Sequence, residues 1–386
     1  MSQLPPQLTV CPACREPLDP ADNFCGGCGA NLAAVPPSGP PAPENRGRGV
    51  KRRRPGRHPA GDYRLAPPDR VPAQGGTRGD ARRCGSCRSG MIDDDGYCEY
   101  CGHAQPRERD HMEHESAGVA AVSDRGLRHH RNEDAFAVSA TELPGGAPAV
   151  VAVVSDGVSS AARPDEASAA ACAAACDALV EGLAGGTPPR EATQRAVLRA
   201  AEAVSSLAGA DRAAREHERH RQGNAPACTI VSAVITGDLL TVGWVGDSRA
   251  YWVPDDRATQ PARLTEDDSW AAQMVAAGLM SETEAYADER AHAITGWLGA
   301  DAYEVEPHTA SYHPDRPGVV LVCTDGLWNY AESAEEMAEI VPSDARSRPL
   351  ECARRLLAHA LDGGGHDNVT VAVLPFPSRP EGAGSA

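Results

Sequence analysis

The sequence predicts an α+β fold, built from layers of sheet and helix, for residues 116–375. Two observations carry this prediction. Short apolar runs bounded by turn residues recur along this segment, and alanine-rich stretches of helical length lie between them. Because the strand-like runs and the helix-like stretches each occur in neighbouring pairs, separate sheet and helix layers are favoured over a strictly alternating parallel fold.

Six apolar runs read as β-strands, and several of them are apolar at every position. A strand that is apolar on both faces is typical of a sheet that is covered on each side. The predicted strands are residues 118–122, 149–154, 229–235, 239–245, 319–323 and 369–374.

Five stretches read as helices, of which the first two are especially rich in alanine. Helices of this kind are what the covered faces of the predicted sheets require. The predicted helices are residues 164–183, 190–207, 269–277, 334–340 and 349–361.

Eight of the 13 cysteines fall in paired C-x-x-C units ahead of this domain. Two such pairs separated by ten residues form a module that occurs twice, and four thiolates complete a closed tetrahedral site of the kind that structural Zn²⁺ prefers. Redox-active C-x-x-C pairs are the alternative, but no βαβ pattern surrounds them. The predicted zinc ligands are Cys11, Cys14, Cys25, Cys28, Cys84, Cys87, Cys98 and Cys101.

The domain organisation follows from these changes in composition. Residues 1–32 and 84–103 are predicted zinc ribbons, joined by a Pro/Gly/Arg-rich linker over residues 33–83 that lacks the apolar surface needed to order it. The tail, residues 376–386, is predicted to be disordered as well. Because the tether separates the ribbons from residues 116–375, deleting residues 1–110 is expected to leave the function of residues 116–375 intact.

Charge and hydropathy exclude several function classes. The chain has 37 Lys+Arg and 54 Asp+Glu, of which 16 and 13 lie in residues 1–112, so the remainder carries −20 and repels a phosphate backbone. The basic run 51–54 reads as a solvated linker, with an anionic partner as the alternative. No continuous apolar stretch of about 18–20 residues and no signal peptide is evident, so a cytoplasmic protein without a membrane segment is expected.

Acidic residues follow or precede the predicted strands. Asp156 and Asp325 each end a wholly apolar run and are each followed by glycine, and Glu133, Asp134 and Asp367 lie beside other strand ends. Clustered carboxylates repel one another unless cations intervene, and Lys51 is the only lysine in the chain. An all-oxygen ligand set favours Mg²⁺ or Mn²⁺, and two such ions can activate a water and neutralise a phosphoryl group.

Seven ordered motifs carry a family resemblance: SDRGLRHHRNEDA, VVSDGVSS, VGDSRAYW, LTEDDSW, ITGWLG, LVCTDGLWNY and GGHDNVTVAV. The segment that contains them, residues 116–375, resembles the type 2C, or PPM, metal-dependent protein-serine/threonine phosphatases of bacteria. The resemblance implies a four-layer sandwich of two antiparallel β-sheets flanked by helix pairs.

The resemblance also implies site residues. Glu133, Asp156 and the Gly157 carbonyl would hold one Mn²⁺ or Mg²⁺, and Asp156, Asp325 and Asp367 the other, so that Asp156 bridges. Asp134 would orient water from behind the ligands. Asp247 matches a position that binds a weaker third metal, with a plain turn role as the alternative.

The chain departs from the family at the phosphate-binding arginine, whose place is taken by His129. Arg131 shares a strand face with His129 and Glu133, so Arg131 is the first candidate for phosphate binding and Arg128 the second. Val158 replaces a family histidine, so water or another histidine must protonate the leaving group. Asn368 is expected to support Asp367 by hydrogen bonding.

The resulting functional hypothesis is a hydrolase that removes phosphate from phosphoserine and phosphothreonine in proteins with a water nucleophile. The expected partners are phosphorylated proteins, namely substrates of a bacterial Ser/Thr kinase, and the expected state is a monomer that binds no nucleic acid. A catalytically weak phosphoprotein-binding or scaffold module of the same fold is the alternative, which the intact acidic set disfavours.

Overall fold

The computed structural model describes residues 91, 99–100, 107–214, 225–302 and 304–377. The chain divides into two compact units, Met1–Gln105 and Pro106–Ala386. All eight cysteines of the predicted zinc ribbons lie outside the described residues, as do the linker 33–83 and residues 378–386 of the tail.

The second unit contains two large antiparallel sheets. The first sheet has the strand order β1-β2-β13-β12-β8-β9, the second has the order β11-β7-β6-β4-β3, and β10 pairs with β5 in a small ribbon. The strands are β1 His111–Ser116, β2 Val119–Asp124, β3 Ala135–Glu142, β4 Pro148–Ser155, β5 Ala227–Cys228, β6 Ile230–Thr236, β7 Leu239–Val245, β8 Arg249–Pro254, β9 Ala262–Arg263, β10 Leu298–Gly299, β11 His308–Tyr312, β12 Gly318–Cys323 and β13 Val369–Phe376.

The helices cover the sheets and the loops between them, and a 3₁₀ turn, Glu108–Asp110, precedes β1. Several begin with the signals that start helices, such as proline in the first turn of α1 and α7 and Ser–Glu capping boxes at α4 and α6. They are α1 Pro164–Ala184, α2 Pro189–Ala214, α3 Trp270–Ala276, α4 Glu282–Tyr286, α5 Asp325–Trp328, α6 Ala334–Ile340 and α7 Pro349–Asp362.

Three large clusters of buried apolar residues account for most of the packing in the described part of the chain, and a smaller fourth surrounds α3 and α4. One cluster joins the inner faces of the two sheets, for example Val154 and Leu240 with Val320. A second joins the second sheet to α1 and α2, and a third joins the first sheet to α5, α6 and α7. Each fully buried aliphatic side chain in these clusters stabilises the fold by roughly 1.5–3 kcal/mol, which makes the sheets a rigid frame for their ends.

Within the described part of the chain, α1 is the one helix long and apolar enough to cross a membrane by length and composition. Its position in the fold gives another reason for that composition. Leu179 and Leu183 are fully buried, and α1 packs against both α2 and the second sheet.

The strands that carry polar or aromatic residues were missed by the sequence analysis. β1 and β11 are edge strands of mostly polar residues, none of them fully buried, so they lack the apolar run that marks a strand. β3 is also an edge strand, and β8 combines a buried arginine with aromatic residues. The ordered structure also begins before residue 116 and includes Phe376, which is buried in β13 and so does not belong to the tail.

Candidate active site

The predicted acidic residues meet at one end of both sheets because of the strand register. β3 pairs with β4 so that Ala135 lies opposite Ser155, which places Asp134 beside Asp156. In the other sheet β12 pairs with β13, with Cys323 opposite Val371, so Asp325 follows one strand while Asp367 precedes the other. The sandwich therefore presents carboxylates from both sheets at a single edge.

Asp156 lies in the middle of this group. Its carboxyl acts on those of both Asp134 and Asp325. The charges of Asp134, Asp325, Asp367 and Asp247 all act on it. We call these five residues, Asp134, Asp156, Asp247, Asp325 and Asp367, the acid cluster.

The pKa values of the buried aspartates in the acid cluster are raised, as expected for carboxylates without nearby positive charge. Burial, followed by the repulsion of the neighbouring carboxylates, holds the pKa of Asp156 and of Asp325 well above the usual range. Burial also raises the pKa of Asp134 to about 7, with the charge of Asp367 adding to the shift. At neutral pH the protein alone does not stabilise Asp134, Asp156 and Asp325 in their ionised forms together.

Asp247 is 9% exposed, and burial, with the charge of Asp267 next, raises its pKa to about 7. Its main chain is fixed by Trp328, whose indole N–H donates to the Asp247 carbonyl at 2.9 Å. Trp328 in turn packs against the fully buried guanidinium of Arg249, 3.6 Å from the ring centroid. Arg249 donates to both carboxylate oxygens of Asp267, at 3.0 and 2.7 Å.

Glu133 differs from the aspartates. Its carboxylate accepts hydrogen bonds from the Arg131 Nε–H at 2.8 Å and from the Ser159 hydroxyl at 2.7 Å. Like the aspartates, Glu133 is buried, with only 6% of its surface exposed, and it directly precedes Asp134 in the chain. Glu133 thus lies beside the acid cluster with its carboxylate held by neighbours of its own.

Asn368 supports Asp367 by a hydrogen bond, as expected, and its side chain has a second role. Asp367 does accept a hydrogen bond from Asn368 at 2.8 Å, but the donor is the main-chain N–H. The Asn368 side chain instead binds the loop between β2 and β3: its Oδ1 accepts from the Glu133 N–H at 2.7 Å, and its Nδ2 donates to the carbonyls of Arg125 and Arg131. It therefore anchors the main chain that leads to Glu133.

The two Asp-Gly pairs of the site require glycine because the main chain passes very close to them. A Cβ on Gly157 would lie 2.7 Å from the Glu133 carbonyl oxygen, and one on Gly326 would lie 1.8 Å from the Asn368 carbonyl oxygen. Any side chain there would push apart the segments that carry the carboxylates. These glycines have a packing reason that an ordinary turn glycine lacks.

The segment 125–131, which we call the basic loop, connects the two sheets at the edge of the acid cluster. The His129 Nε2 lies 3.1 Å from Asp367 Oδ1, so the residue at the family's arginine position contacts the cluster itself. Arg131 contacts Glu133, with 41% of its side chain exposed, whereas Arg128 is exposed. Both predicted phosphate-binding arginines lie on this loop and not on the extended strand that the sequence analysis assumed. Arg131 is the one in contact with a predicted ligand.

The donor set fits hard divalent cations. Asp134 Oδ1 and Asp325 Oδ1 are buried without a hydrogen-bond partner, which is an unfavourable state for a carboxylate oxygen unless a cation binds it. Among the described residues no three His, Cys, Asp or Glu side chains close around one point as a finished metal site. The structure therefore provides the oxygens and their neighbourhood, and the cluster would have to contract around the ions.

Several residues that shape this site were missed by the sequence analysis. Thr324 donates to Asp134 Oδ2 at 2.9 Å, and Ser159 holds Glu133 as described above. Arg249 supports Asp247 through Trp328. Thr324 and Ser159 lie next to the Asp-Gly motifs, which is a usable signal, but the burial of Arg249 is set by α5, far away in the sequence.

Comparison with known proteins agrees with this geometry. The family model described as protein phosphatase 2C matches residues 126–358. The chain belongs to the protein phosphatase 2C family.

Curated relatives match the chain in part. The serine/threonine protein phosphatase PstP of Mycobacterium tuberculosis is 31% identical over 212 residues, which cover 50% of this chain and 39% of the relative. The serine/threonine phosphatase Stp of Listeria innocua is 32% identical over 152 residues, which cover 39% of this chain and 57% of the relative. The chain therefore spans only about two fifths to three fifths of the length of these curated relatives.

Solved structures share the fold. The crystal structure of the M. tuberculosis phosphatase PstP matches with a TM-score of 0.50 and 28% identity, covering 66% of this chain and 96% of that one. The Stp1 phosphatase of Staphylococcus aureus matches with a TM-score of 0.52 and 20% identity, covering 71% of this chain and 99% of that one. The arrangement of antiparallel sheets and helices is thus that of the PPM phosphatases.

Proposed function

We propose that this protein is a protein-serine/threonine phosphatase that hydrolyses phosphoserine and phosphothreonine by a two-metal mechanism with water as the nucleophile. The observation that carries the proposal is the acid cluster, in which five aspartates from two sheets meet with buried oxygens that have no hydrogen-bond partner. Membership of the protein phosphatase 2C family and the similarity to serine/threonine phosphatases support the substrate class.

The implied metals are Mn²⁺ or Mg²⁺, because every candidate ligand is an oxygen. We propose Glu133, Asp156 and the Gly157 carbonyl for one ion, and Asp156, Asp325 and Asp367 for the other, with Asp247 at a third and weaker position. When bound, such ions lower the pKa of water and neutralise phosphoryl oxygens during in-line displacement.

The residues of the chain have separate tasks in the proposed reaction. Asp156 lies between Asp134 and Asp325 and so is placed to serve both halves of the site. Asp134, oriented by Thr324, would accept a hydrogen bond from the attacking water. Arg131 at the edge of the cluster would bind the outer phosphoryl oxygens, because a planar guanidinium matches their geometry.

The reaction needs one proton transfer to the leaving seryl or threonyl oxygen as the P–O bond breaks. Val158 offers no proton at the place of the family histidine, and its main-chain N–H donates to the Ala227 carbonyl at 3.0 Å. We therefore propose that water delivers this proton. The attacking water would lose a proton to the site, and that proton would replace the one that the donor water gives to the leaving oxygen, so that phosphate, an alcohol and the regenerated site are the only products.

The rest of the chain extends the proposal. The cysteine spacing supports two structural zinc ions in ribbons at residues 1–32 and 84–103. The three packed clusters support a four-layer order in which each sheet faces the other and carries helices on its outer face. We further propose a cytoplasmic monomer that acts in signal transduction on the substrates of a Ser/Thr kinase and binds neither nucleic acid nor membranes.

The test is hydrolysis of phosphopeptides by the full chain in Mn²⁺ and in EDTA. The proposal predicts release of phosphate from phosphoserine and phosphothreonine peptides with Mn²⁺, loss of activity in EDTA, and no loss after thiol alkylation. Full turnover in metal-free buffer would contradict the two-metal mechanism. Binding of the peptides without turnover in Mn²⁺ would favour a phosphoprotein-binding module instead.

A further inference from the structure

Arg109, in the 3₁₀ turn ahead of β1, binds the loop that carries Glu133 and Asp134. Its Nε–H donates to the Asn132 carbonyl at 3.0 Å, and its Nη2 donates to the Asp134 carbonyl at 2.9 Å. The same Nη2 donates to the Asp165 carbonyl, in the first turn of α1, at 2.8 Å. One guanidinium therefore joins three points of main chain.

Ser168 of α1 completes this contact. Its hydroxyl donates to the carbonyl of Glu133, and it lies 3.1 Å from the Arg109 Nη2. The carbonyls of three consecutive residues, 132, 133 and 134, are thus all bound by Arg109 and Ser168. About two thirds of the hydrogen bonds in a protein join main-chain groups, so three consecutive carbonyls that are all bound by side chains are a specific feature of this loop.

Arg109 and Asn132 bind each other reciprocally, so their relative position is fixed by more than one hydrogen bond. The Asn132 side chain donates back to the Arg109 carbonyl at 3.0 Å and also binds Ser123 of β2 at 2.8 Å. Asn132 is 1% exposed, so this pair of bonds is shielded from water. The turn that contains Arg109 is therefore attached to the same segment from both sides.

The guanidinium has the right chemistry for this task. Its rigid, planar set of N–H donors can bind several carbonyls in fixed directions, whereas a lysine ammonium is a point charge on a flexible stem. Bonds from a charged donor are also stronger than neutral ones, and more so when partly buried. Loss of this side chain would leave buried carbonyl groups without partners.

We propose that Arg109 is a positioning residue for the metal site: it fixes the main chain of Asn132–Asp134 against α1, so that the carboxylates of Glu133 and Asp134 project from a rigid base. This inference rests on the proposed function. It also places a determinant of the site outside residues 116–375, in the segment that follows the last predicted zinc ligand, Cys101, by eight residues.

The test is Mn²⁺ titration by calorimetry into the metal-free full chain, with Arg109→Ala, Arg109→Lys and Ser168→Ala. Outer groups that hold metal ligands typically change affinity by about 10–100-fold, so Arg109→Ala is expected to raise the Mn²⁺ Kd at least about tenfold. Arg109→Lys keeps the charge but not the planar donors, and it is expected to recover only part of the affinity. Ser168→Ala should weaken binding by a smaller factor.

Arg354→Ala is the matched control. Arg354 makes a charged pair with Glu113 of β1, at 3.0 and 2.6 Å, near the same segment but not on the loop of Glu133. Because an exposed pair contributes little, this variant should stay within about twofold of the wild-type Kd. At saturating Mn²⁺, the KM for an aryl phosphate should also be unchanged in Arg109→Ala, since the side chain does not contact the substrate.

An Arg109→Ala protein with the wild-type Mn²⁺ Kd and a lowered Tm would overturn the inference and leave Arg109 a purely structural residue. If that variant does not fold, Ser168→Ala and Arg109→Lys decide, and wild-type Mn²⁺ affinity in both overturns it equally. A wild-type chain that binds no Mn²⁺ would instead refute the proposed function on which the inference rests.

Discussion

The acid cluster and the basic loop lie side by side but are built in opposite ways. The aspartates of the acid cluster all lie within two residues of a strand end, so the sheet register sets their positions. The basic loop, residues 125–131, crosses from one sheet to the other and depends on contacts with distant residues such as Asn368. The comparison suggests that the chemistry belongs to the rigid frame, and that the recognition of substrate belongs to the loop.

The largest effect is expected in the frame. Asp156→Asn or Asp325→Asn removes one of the proposed metal ligands. Loss of a residue that only hydrogen-bonds to a ligand changes activity by about 10–100-fold, so loss of the ligand itself should lower kcat more than about a hundredfold. Asp362→Asn is the control, because Asp362 also precedes a glycine but is exposed at the end of α7. Steady-state kinetics in Mn²⁺ measure this, and wild-type kcat in either variant would mean that the cluster is misassigned.

The loop should affect binding rather than turnover. Arg131→Ala is expected to raise the KM for an aryl phosphate at saturating Mn²⁺ by at least about tenfold, which corresponds to about 1.4 kcal/mol of a charge-assisted contact. Arg128→Ala and His129→Ala should have smaller effects. If His129→Ala gave the largest rise in KM, histidine would have replaced the family arginine in its own position.

Two truncated proteins test how much of the N-terminal segment the active site needs. Deleting residues 1–105 removes the first compact unit and should leave aryl phosphate hydrolysis unchanged. Deleting residues 1–110 also removes Arg109 and its bonds to the carbonyls of Asn132 and Asp134, so at low Mn²⁺ activity should fall about tenfold. This revises the expectation from sequence that the longer deletion is harmless. Equal activity of the two truncated proteins would contradict it.

The smallest effect concerns the stability of the metal-free protein. The pKa of Asp325 is raised by burial and by neighbouring carboxylates, so its ionised form destabilises the folded state. This contribution is absent below the unfolded pKa of about 3.9 and grows as pH rises. In EDTA at pH 8, Asp325→Asn should therefore have a higher Tm than the wild type, by about 2–4 °C for each kcal/mol of unfolding free energy gained. The Tm values of the two proteins should converge near pH 4. A lower Tm for the variant would contradict this electrostatic account.

The sequence predicted the frame well and the loop poorly, for physical reasons. β7 and α6 were predicted with their exact bounds because an apolar run or a helical repeat between turn residues is a local signal. Asp156 and Asp325 were found because an Asp-Gly pair follows a buried strand. The partners of Glu133 and Asn368 and the role of Arg109 depend on residues brought together from distant segments, which no local pattern encodes.

The most direct test of the account is a count of Mn²⁺ ions by equilibrium dialysis of the wild-type chain and of Asp156→Asn. Because Asp156 lies between the two halves of the acid cluster, the account predicts about two tightly bound ions for the wild type and fewer than about one for the variant at the same free Mn²⁺. An equal count for both proteins would show that Asp156 does not bridge two ions, and the central claim would fail.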